Sequence, residues 1–378
     1  MKKYLTILTV FIVGSVFAEI NFSNQDLTGR EFSNQDLTGR DFSNQDLTDA
    51  RFYDVNLTDV SFYGANLTNA IFSSNNLQSK SVLGNANFTN AIIKGAQFNA
   101  FDVSTGEFPY GNEKSSLTLE QLYSTASYKN NDLCGETANT ATTFMSQRFN
   151  NADFDGFNLK NVNFIHTDLA NAKFNNAIIN GTVLYGSNFS VEQLYSTASY
   201  KNKDLSDLIF HRYQEYHAVL NLSEQKLSNS EFYDFENIIV SDALFESSSF
   251  FNSKIFLEKN SIVLNIKNLK SPAITLSDES FFNLSDGKLI INLTDEFVLN
   301  DKEINVMSWD DGTTITGFDK LVKGENLILK QNGLEFNDDF WSFEVRSDGL
   351  YISVPEPSTY AAIFGALALA FAAYRRRK

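Results

Sequence analysis

Residues 22–48 read FSNQDLTGREFSNQDLTGRDFSNQDLT, and this stretch decides the fold. An apolar residue returns every five positions, as Phe or Leu in turn, and this period continues unbroken from Phe22 to Leu77. A period of five fits neither an α-helix, with 3.6 residues per turn, nor a single strand, with a period of two. The chain must therefore turn once per repeat, so that four short faces make one square coil.

The same period returns in two further blocks. After a one-residue slip at Gly84-Asn85 it runs from Phe88 to Phe108, and a third block runs from Phe149 to Phe189. Each repeat is a small residue, Asp or Asn, Leu or Phe, and two polar residues, as in ANLTN at 65–69. This motif resembles that of the pentapeptide-repeat family. The resemblance implies a right-handed quadrilateral β-helix with a filled interior, no concave pocket, and coils stacked at about 4.8 Å.

The first coils depart from this motif at the small position. Long polar side chains occupy it in five successive repeats, at Gln25, Arg30, Gln35, Arg40 and Gln45. Since an unpaired buried arginine would cost too much free energy, two interpretations stay open. Either these side chains bend out at the corners, or the first coils are more loosely packed terminal repeats.

Two near-identical segments lie between the repeat blocks. Residues 120–130 and 192–202 both read EQLYSTASYKN. Each is predicted to be a short helix, because a capping box precedes it: Thr118 with Gln121, and Ser190 with Gln193. We expect Leu122 and Tyr123 to cover the apolar end of a coil stack, and a binding role for the paired tyrosines is the alternative.

The C-terminal half is less regular. Degenerate repeats occupy 222–257, residues 208–220 before them favour a helix, and residues 258–353 show alternating strands with turn signals. We expect the last region to be a second, β-rich unit, either a sandwich or a continued irregular β-helix. The predicted fold class is thus all-β, with the pentapeptide-repeat solenoid at 19–110 and 149–189 and helical insertions at 111–148 and 190–221.

Residues 1–18 are typical of a secretory signal peptide. Lys2 and Lys3 form its charged start, an apolar run follows, and Val16-Phe17-Ala18 matches the cleavage pattern. Signal peptidase is expected to cut between Ala18 and Glu19. The alternative is a permanent membrane anchor, but the apolar run is short against the roughly 20 residues of a spanning helix.

Residues 354–378 form a tail with three parts. Pro355, Glu356 and Pro357 come first, an apolar run at 360–374 is predicted to be a single transmembrane helix, and a basic cluster ends the chain: Arg375, Arg376, Arg377 and Lys378. By the positive-inside rule the cluster stays in the cytoplasm and the body lies outside. This order resembles the PEP-CTERM sorting signal of Gram-negative bacteria. The resemblance implies that an exosortase reads the Pro-Glu-Pro motif and processes the tail, and an ordinary membrane anchor is the alternative.

The net charge and the cysteine content disfavour some classes of function. The 378 residues carry a net charge of −16, and most of the acidic excess lies in the C-terminal half. An acidic exported surface disfavours nucleic acid, which requires basic stripes. Cys134 is the only cysteine, so an internal disulfide cannot form. Ser206 occupies the equivalent position after the second insertion, which favours a small tolerated residue over a reactive thiol.

The residues indicate no catalytic, cofactor or metal site. The three histidines, at 166, 211 and 217, match no known ligand set, and His166 is expected to be solvated. Asp310-Asp311 and Asp338-Asp339 are candidates for the paired carboxylates of a carbohydrate-active enzyme. Adjacent aspartates in turns are far more often turn formers. We therefore predict that the protein is not an enzyme.

Together these features predict an exported structural or interaction protein. It is expected to be anchored transiently in the inner membrane and then to reach the cell surface or extracellular matrix, where exopolysaccharide or surface proteins are candidate partners. The alternative is a polysaccharide-binding or polysaccharide-degrading β-helix protein. A DNA-mimicking topoisomerase inhibitor resembles the chain only through the repeat, and both export and the charge distribution oppose it.

Overall fold

In the computed structural model of the protein, an uninterrupted coil of the repeat region takes 20 residues, or four pentapeptides. Parallel bridges join Asp36 to Asn56 and, in the third block, Arg148 to Asp168, each partner lying one full coil further on. The predicted square coil with parallel ladders is therefore confirmed. The structure describes residues 22, 25–73, 81–100, 116–135, 140–211, 219–257, 261–266, 272–284, 287–293, 303–331, 334–335 and 341–353.

The Gly, Asn and Asp residues of the repeat lie at or next to the corners of the coils. Every fifth residue from Gly29 to Asn69 has a positive φ, between 52° and 69°, and each of them is Gly, Asn or Asp. These residue types enter the left-handed region with the least strain. At the neighbouring Asx position, Asp46 Oδ1 accepts a hydrogen bond from the Thr48 amide at 3.1 Å. Turn chemistry thus repeats every five residues.

The interior is a continuous stack of apolar side chains. Along one face the rings of Phe32, Phe52, Phe72 and Phe98 follow one another with centroids 4.9 Å apart, and none is more than 2% exposed. Burying each such side chain contributes roughly 1.5–3 kcal/mol to folding. The spacing of the rings follows the spacing of the strands, so core and ladder reinforce each other.

The long polar side chains of the first coils leave the interior. The Arg30 guanidinium lies 5.1 Å and 5.2 Å from the ring centroids of Phe22 and Phe32, and its Nη1 donates to Gln25 Oε1 at 2.7 Å. The ladder to the next coil stays regular, with the Arg51 amide 2.9 Å from the Arg30 carbonyl oxygen. The outward interpretation is therefore correct, because a terminal coil has an open side that long side chains can cover. The other members of this set are likewise exposed or half-buried: Gln35, Arg40 and Gln45.

One face of the repeat region forms a five-stranded parallel sheet. Its strands are β1 (Glu31–Ser33), β2 (Arg51–Tyr53), β3 (Ile71–Ser73), β4 (Gln97–Asn99) and β5 (Thr143–Met145). The same face continues through bridges to an eight-stranded sheet that contains β6 (Val183–Leu184), β7 (Ile209–His211), β10 (Glu231–Tyr233), β13 (Ser248–Phe251), β16 (Ile274–Ser277), β19 (Ile304–Trp309), β24 (Gly349–Ser353) and β23 (Ser342–Arg346).

Two more sheets complete the C-terminal half. One contains β8 (Leu220–Asn221), β11 (Ile238–Val240), β14 (Lys254–Leu257), β17 (Phe281–Asn283) and β20 (Thr314–Thr316). The other contains β9 (Lys226–Ser228), β12 (Leu244–Glu246), β15 (Ser261–Ile266), β18 (Lys288–Leu293), β21 (Leu327–Gln331) and β22 (Leu334–Glu335). From residue 219 onward each coil adds one strand to each of three sheets, so the cross-section changes from four faces to three.

The predicted boundary at residue 258 is not a domain boundary. Strand β12 lies before it and β15 after it, and they pair in parallel, with Leu244 opposite Val263. The parallel order continues to β21, and only β22, β23 and β24 pair antiparallel at the end. Of the two alternatives for residues 258–353, the structure shows the continued irregular β-helix. Ladder and apolar core run on across the boundary, so no second core begins there.

The insertions contain four short helices. They are α1 (Leu119–Ser124), α2 (Ala126–Lys129), α3 (Val191–Ser196) and α4 (Ala198–Lys201). The capping boxes at Thr118 and Ser190 are both formed, as predicted. The helices do not break the solenoid but replace one face of a coil, since the Asn90 amide donates to the Ser124 carbonyl oxygen at 2.9 Å.

The insertions are shorter than predicted. Strand β5 lies within 111–148, and Phe144 continues the ring stack between Phe98 and Phe164 at 5.9 Å and 5.7 Å. The predicted helix at 208–220 is also wrong at both ends, because β7 and β8 occupy them, and residues 212–218 lie outside the described part. Strand β7 forms because Phe210 fills the core position of its coil, only 1% exposed.

Candidate functional site

The predicted sorting and processing residues lie outside the described part of the chain. This applies to the cleavage position 18–19, the motif 355–357 and the basic cluster 375–378. Their roles therefore stay predictions. Among the helices that the structure describes, none is long and apolar enough to cross a membrane.

The candidate carboxylate Asp310 is held in a turn. Its Oδ1 accepts a hydrogen bond from Thr313 Oγ1 at 2.7 Å, and its Oδ2 accepts one from the Asp278 amide at 2.8 Å. These hydrogen bonds, led by that of Thr313, hold the pKa of Asp310 below its usual value. Asp338 and Asp339 lie outside the described residues. Within the described ranges, no group of three His, Cys, Asp or Glu residues could hold a metal ion.

Cys134 lies at a half-buried turn position. Its amide donates to Asp132 Oδ1 at 3.3 Å, as the amide of Ser206 donates to Asp204 Oδ1 at 3.1 Å. The two positions are therefore structurally equivalent, as the sequence indicated. Burial, followed by a hydrogen bond to Asp132, raises the pKa of the thiol, which lowers its nucleophilic fraction near neutral pH.

The paired tyrosines of the insertions bind the backbone of the following coil. Tyr123 Oη accepts a hydrogen bond from the Asp153 amide at 3.1 Å, and Tyr128 Oη donates to the Asp153 carbonyl oxygen. A strand at this place would have satisfied both groups through the ladder. Burial is the largest cause that raises the pKa of Tyr128, so its hydroxyl keeps its proton.

The second insertion repeats this arrangement. Tyr195 Oη accepts from the Asn221 amide at 2.8 Å and donates to the Val219 carbonyl oxygen at 3.1 Å, and Tyr200 Oη donates to the Asn221 carbonyl oxygen at 2.8 Å. Burial raises the pKa of Tyr200 to about 12. Leu122 is fully buried and Tyr123 packs against the core, as expected, but inside a continuing stack and not at its end. A binding role for the tyrosines stays a hypothesis. They restore the backbone hydrogen bonds that a helical face removes.

An aromatic stripe lies on the outer surface of the eight-stranded sheet. We use this name for four residues of successive coils: Tyr185, His211, Tyr233 and Phe251. Parallel register places His211, Tyr233 and Phe251 opposite one another, and Tyr185 precedes them in the same column. Each follows a buried core residue, so the alternation of the strand turns it outward.

The rings of the stripe touch in sequence. Tyr185 stacks on His211 with centroids 4.5 Å apart, and Tyr233 stacks on Phe251 at 4.4 Å. The two pairs meet edge to face, with Tyr185 and Tyr233 centroids 5.7 Å apart. Tyr185 is the most accessible described ring of the stripe, at 40% exposed. Contacts of this kind each contribute about 0.5–1.5 kcal/mol beyond the buried area.

Polar groups fix the stripe along one side. His211 Nε2 lies 2.6 Å from Asp234 Oδ2, and Asn252 Nδ2 donates to Asp234 Oδ1 at 2.7 Å. The Gly186 amide donates to His211 Nδ1 at 3.3 Å, so the neutral ring with its proton on Nε2 satisfies both partners. Tyr233 Oη donates a hydrogen bond to Glu231 Oε2 at 2.6 Å.

His166 is not the solvated residue that the sequence indicated. It sits half-buried at a corner with φ of 51°, and its ring meets that of Tyr185 edge to face at 5.8 Å. Burial lowers its pKa, and the nearby His211 lowers it further. His211 lies in strand β7 and not in the helix predicted for residues 208–220.

The core period of five does not by itself indicate the stripe, because it describes only the buried positions. A second signal was present, namely an aromatic residue or histidine directly after the core residue in the pairs Leu184-Tyr185, Phe210-His211, Phe232-Tyr233 and Phe250-Phe251. The spacing between these pairs varies. Only the register of the coils shows that they form one column.

Comparison with known proteins agrees with the coil geometry. The family model for pentapeptide repeats matches eight copies, over residues 36–73 and 148–181. The chain contains pentapeptide repeats. This confirms the resemblance for those two segments. No curated protein matches the chain.

The chain is similar to two solved structures over most of its length. HetL, a pentapeptide repeat protein involved in heterocyst differentiation regulation from the cyanobacterium Nostoc sp. strain PCC 7120, is 14% identical over 79% of this chain and 86% of its own, with a TM-score of 0.15. QnrB1, a plasmid-mediated fluoroquinolone resistance protein, is 12% identical over 77% of this chain and 92% of its own, also with a TM-score of 0.15. At TM-scores this low, neither likeness indicates a shared fold or function.

Proposed function

We propose that the protein is an exported, non-enzymatic scaffold that is sorted by its tail to the cell surface or extracellular matrix. The observation that carries this proposal is the filled interior. From Phe22 to Ile352 the described core is a single cluster of buried apolar side chains. Groups that contact a partner must therefore come from the outer faces, as in other solenoids that act through extended surfaces.

The end of the fold supports a tail that is separate from the body. Strand β24 pairs with both β19 and β23 and ends at Ser353, two residues before Pro355. Proline cannot donate to a ladder, so Pro355 is suited to end the strand. We propose that an exosortase reads Pro355, Glu356 and Pro357 beyond this point, after export by the N-terminal signal.

A carbohydrate-degrading enzyme is the weaker alternative. It would use Asp310-Asp311 or Asp338-Asp339, and the two oxygens of Asp310 already accept hydrogen bonds within its turn. A catalytic acid needs a carboxyl group whose pKa is raised, whereas that of Asp310 is lowered. The geometry of this residue therefore favours the scaffold.

The test is a substitution of the motif in the native host. Pro355→Ala, Glu356→Ala and Pro357→Ala together should leave an unprocessed protein in the inner membrane, because the apolar run and the basic cluster remain. Mass spectrometry of both termini in surface and membrane fractions measures this. The matched control, Ser358→Ala with Thr359→Ala, should be processed normally. Normal processing and surface delivery of the triple variant would exclude the sorting role.

A further inference from the structure

The aromatic stripe extends an apolar column on one outer face of the rod. Met145 and Ile165 occupy the same register position in the two coils before Tyr185. Six successive coils therefore turn an apolar or aromatic side chain outward, over roughly 24 Å at the ordinary strand spacing. Polar residues bound the column, with Asn99 before it and Ser277 after it.

The size of this column argues against a folded protein as its partner. One column is about 7 Å wide, so the exposed strip covers on the order of 200 Å². A stable protein interface buries about 800 Å² on each side. A dimer of this chain formed through the strip would likewise bury too little surface area to be stable. A narrow, extended polymer that runs along the rod can use the whole strip without needing a wider contact.

The charges beside the stripe select the kind of polymer. Three carboxylates lie beside the stripe and interact with its residues, namely Glu231 and Asp278 with Tyr233 and Asp234 with His211, so an anionic polymer would be repelled. Two of them already have partners, because Tyr233 donates to Glu231 and His211 contacts Asp234. Their remaining lone pairs can accept hydrogen bonds from hydroxyl groups. A neutral chain rich in hydroxyls can use both the rings and these lone pairs, and capture of a cationic polymer is the competing outcome of the test.

We propose that the aromatic stripe is a docking site for a neutral, unbranched glycan. The chain lies along the rod, with the C–H groups of its sugar rings against Tyr185, Tyr233 and Phe251 and its hydroxyls beside the carboxylates. This inference deepens the proposed scaffold role by naming a partner class. It does not depend on the tail, so its test and the sorting test can fail independently.

Affinity electrophoresis of the full-length protein in mild detergent tests the proposal. Native gels contain mixed-linkage β-glucan or pullulan as neutral, unbranched probes, or polygalacturonate as the anionic probe. We expect retardation by at least one neutral probe, with an apparent Kd that is about five- to tenfold higher for Tyr185→Ala. Tyr185→Phe keeps the ring and should bind within about twofold of the unchanged protein.

The matched control is Tyr63→Ala. Tyr63 is 44% exposed, close to the 40% of Tyr185, and lies outside the stripe. Its loss should leave binding unchanged, and equal thermal melting of all variants shows that each is folded. Absence of retardation by both neutral probes, equal weakening by the two alanine variants, or stronger retardation by polygalacturonate would overturn the proposal. So would a concentration-dependent dimer, or capture of polylysine, that Tyr185→Ala abolishes.

Discussion

At the residue scale, each position of the pentapeptide has a separate physical task. The Leu or Phe is buried, as Leu67 is at 0% exposure. The Asx residue before it accepts the amide of the residue after it, and Thr68 donates to Asn66 Oδ1 in this way at 3.2 Å. Two positions beyond the Leu or Phe, the chain turns with a positive φ, as at Asn69. Each of these positions in the repeat therefore serves either the core or the turn.

The core position gives the first prediction at this scale. Leu67→Asp should lower the free energy of unfolding by several kcal/mol, about 3 or more, because the carboxylate would be buried without a partner. Guanidinium unfolding followed by circular dichroism measures the difference. The control in the same coil is Tyr63→Asp, at a side chain that is 44% exposed, and it should change stability little. Equal midpoints for the two variants would contradict the inward assignment.

At the scale of elements, the insertions show how a helix can take the place of a strand. A helix uses most of its amides and carbonyls internally, so only its ends pair with the preceding coil, as Ser124 does with Asn90, and the following coil lacks part of its ladder. In this protein, tyrosine hydroxyls bind the backbone at Asp153 and Asn221 instead. Gln121 supports the other side, where its Nε2 donates to two backbone oxygens of the preceding coil, at 2.9 Å and 3.0 Å. Each helix is held between two coils.

This arrangement predicts a cost for removing one hydroxyl. Tyr123→Phe should lower the free energy of unfolding by about 1–3 kcal/mol, since the Asp153 amide then loses its acceptor in a partly buried place. Thermal and guanidinium unfolding measure the loss. Tyr63→Phe removes the hydroxyl of an exposed tyrosine and should be nearly neutral. If both variants were equally stable, the tyrosines would not replace the ladder.

At the scale of the whole molecule, one parallel stack runs through the described chain while its cross-section changes. The number of residues between partners in adjacent coils differs along the stack. Ser61 is bridged to Asn87, and in the third block bridge partners lie 20 residues apart. In the three-sided region, Ser261 pairs with Lys288. The stack closes with antiparallel strands β22 to β24. Such strands block the addition of another parallel coil, which protects the exposed sheet edge.

The closing strands predict where the fold ends. Deletion of 354–378 should leave the circular dichroism spectrum and the melting temperature of the full-length protein unchanged, because β24 ends at Ser353. Deletion from Ser342 onward is the control. It removes β23 and β24 and uncovers β19, so it should lower the melting temperature clearly. If deletion of 354–378 lowered the melting temperature, the tail would belong to the fold.

The sequence alone determined the parts of this protein that repeat. A period of five, with Gly, Asn or Asp at the corners, dictates a coil whose core and turns are both local, so the square solenoid and the capping boxes could be predicted. The candidate sorting residues were also found by sequence, because such a signal is a short linear motif. The first-coil arginines could not be placed, since whether Arg30 leaves the core depends on the open side of the terminal coil.

Only the tertiary structure decided the rest. The aromatic stripe joins Tyr185, His211, Tyr233 and Phe251, whose spacing along the chain varies because the loops between coils differ in length. The continuity of the fold past residue 258 depends in the same way on which strands pair. A loop can lengthen without changing the strand register, because closure entropy grows slowly with length. Local sequence therefore specifies each corner and core residue, while the stacking of coils specifies which outer residues become neighbours.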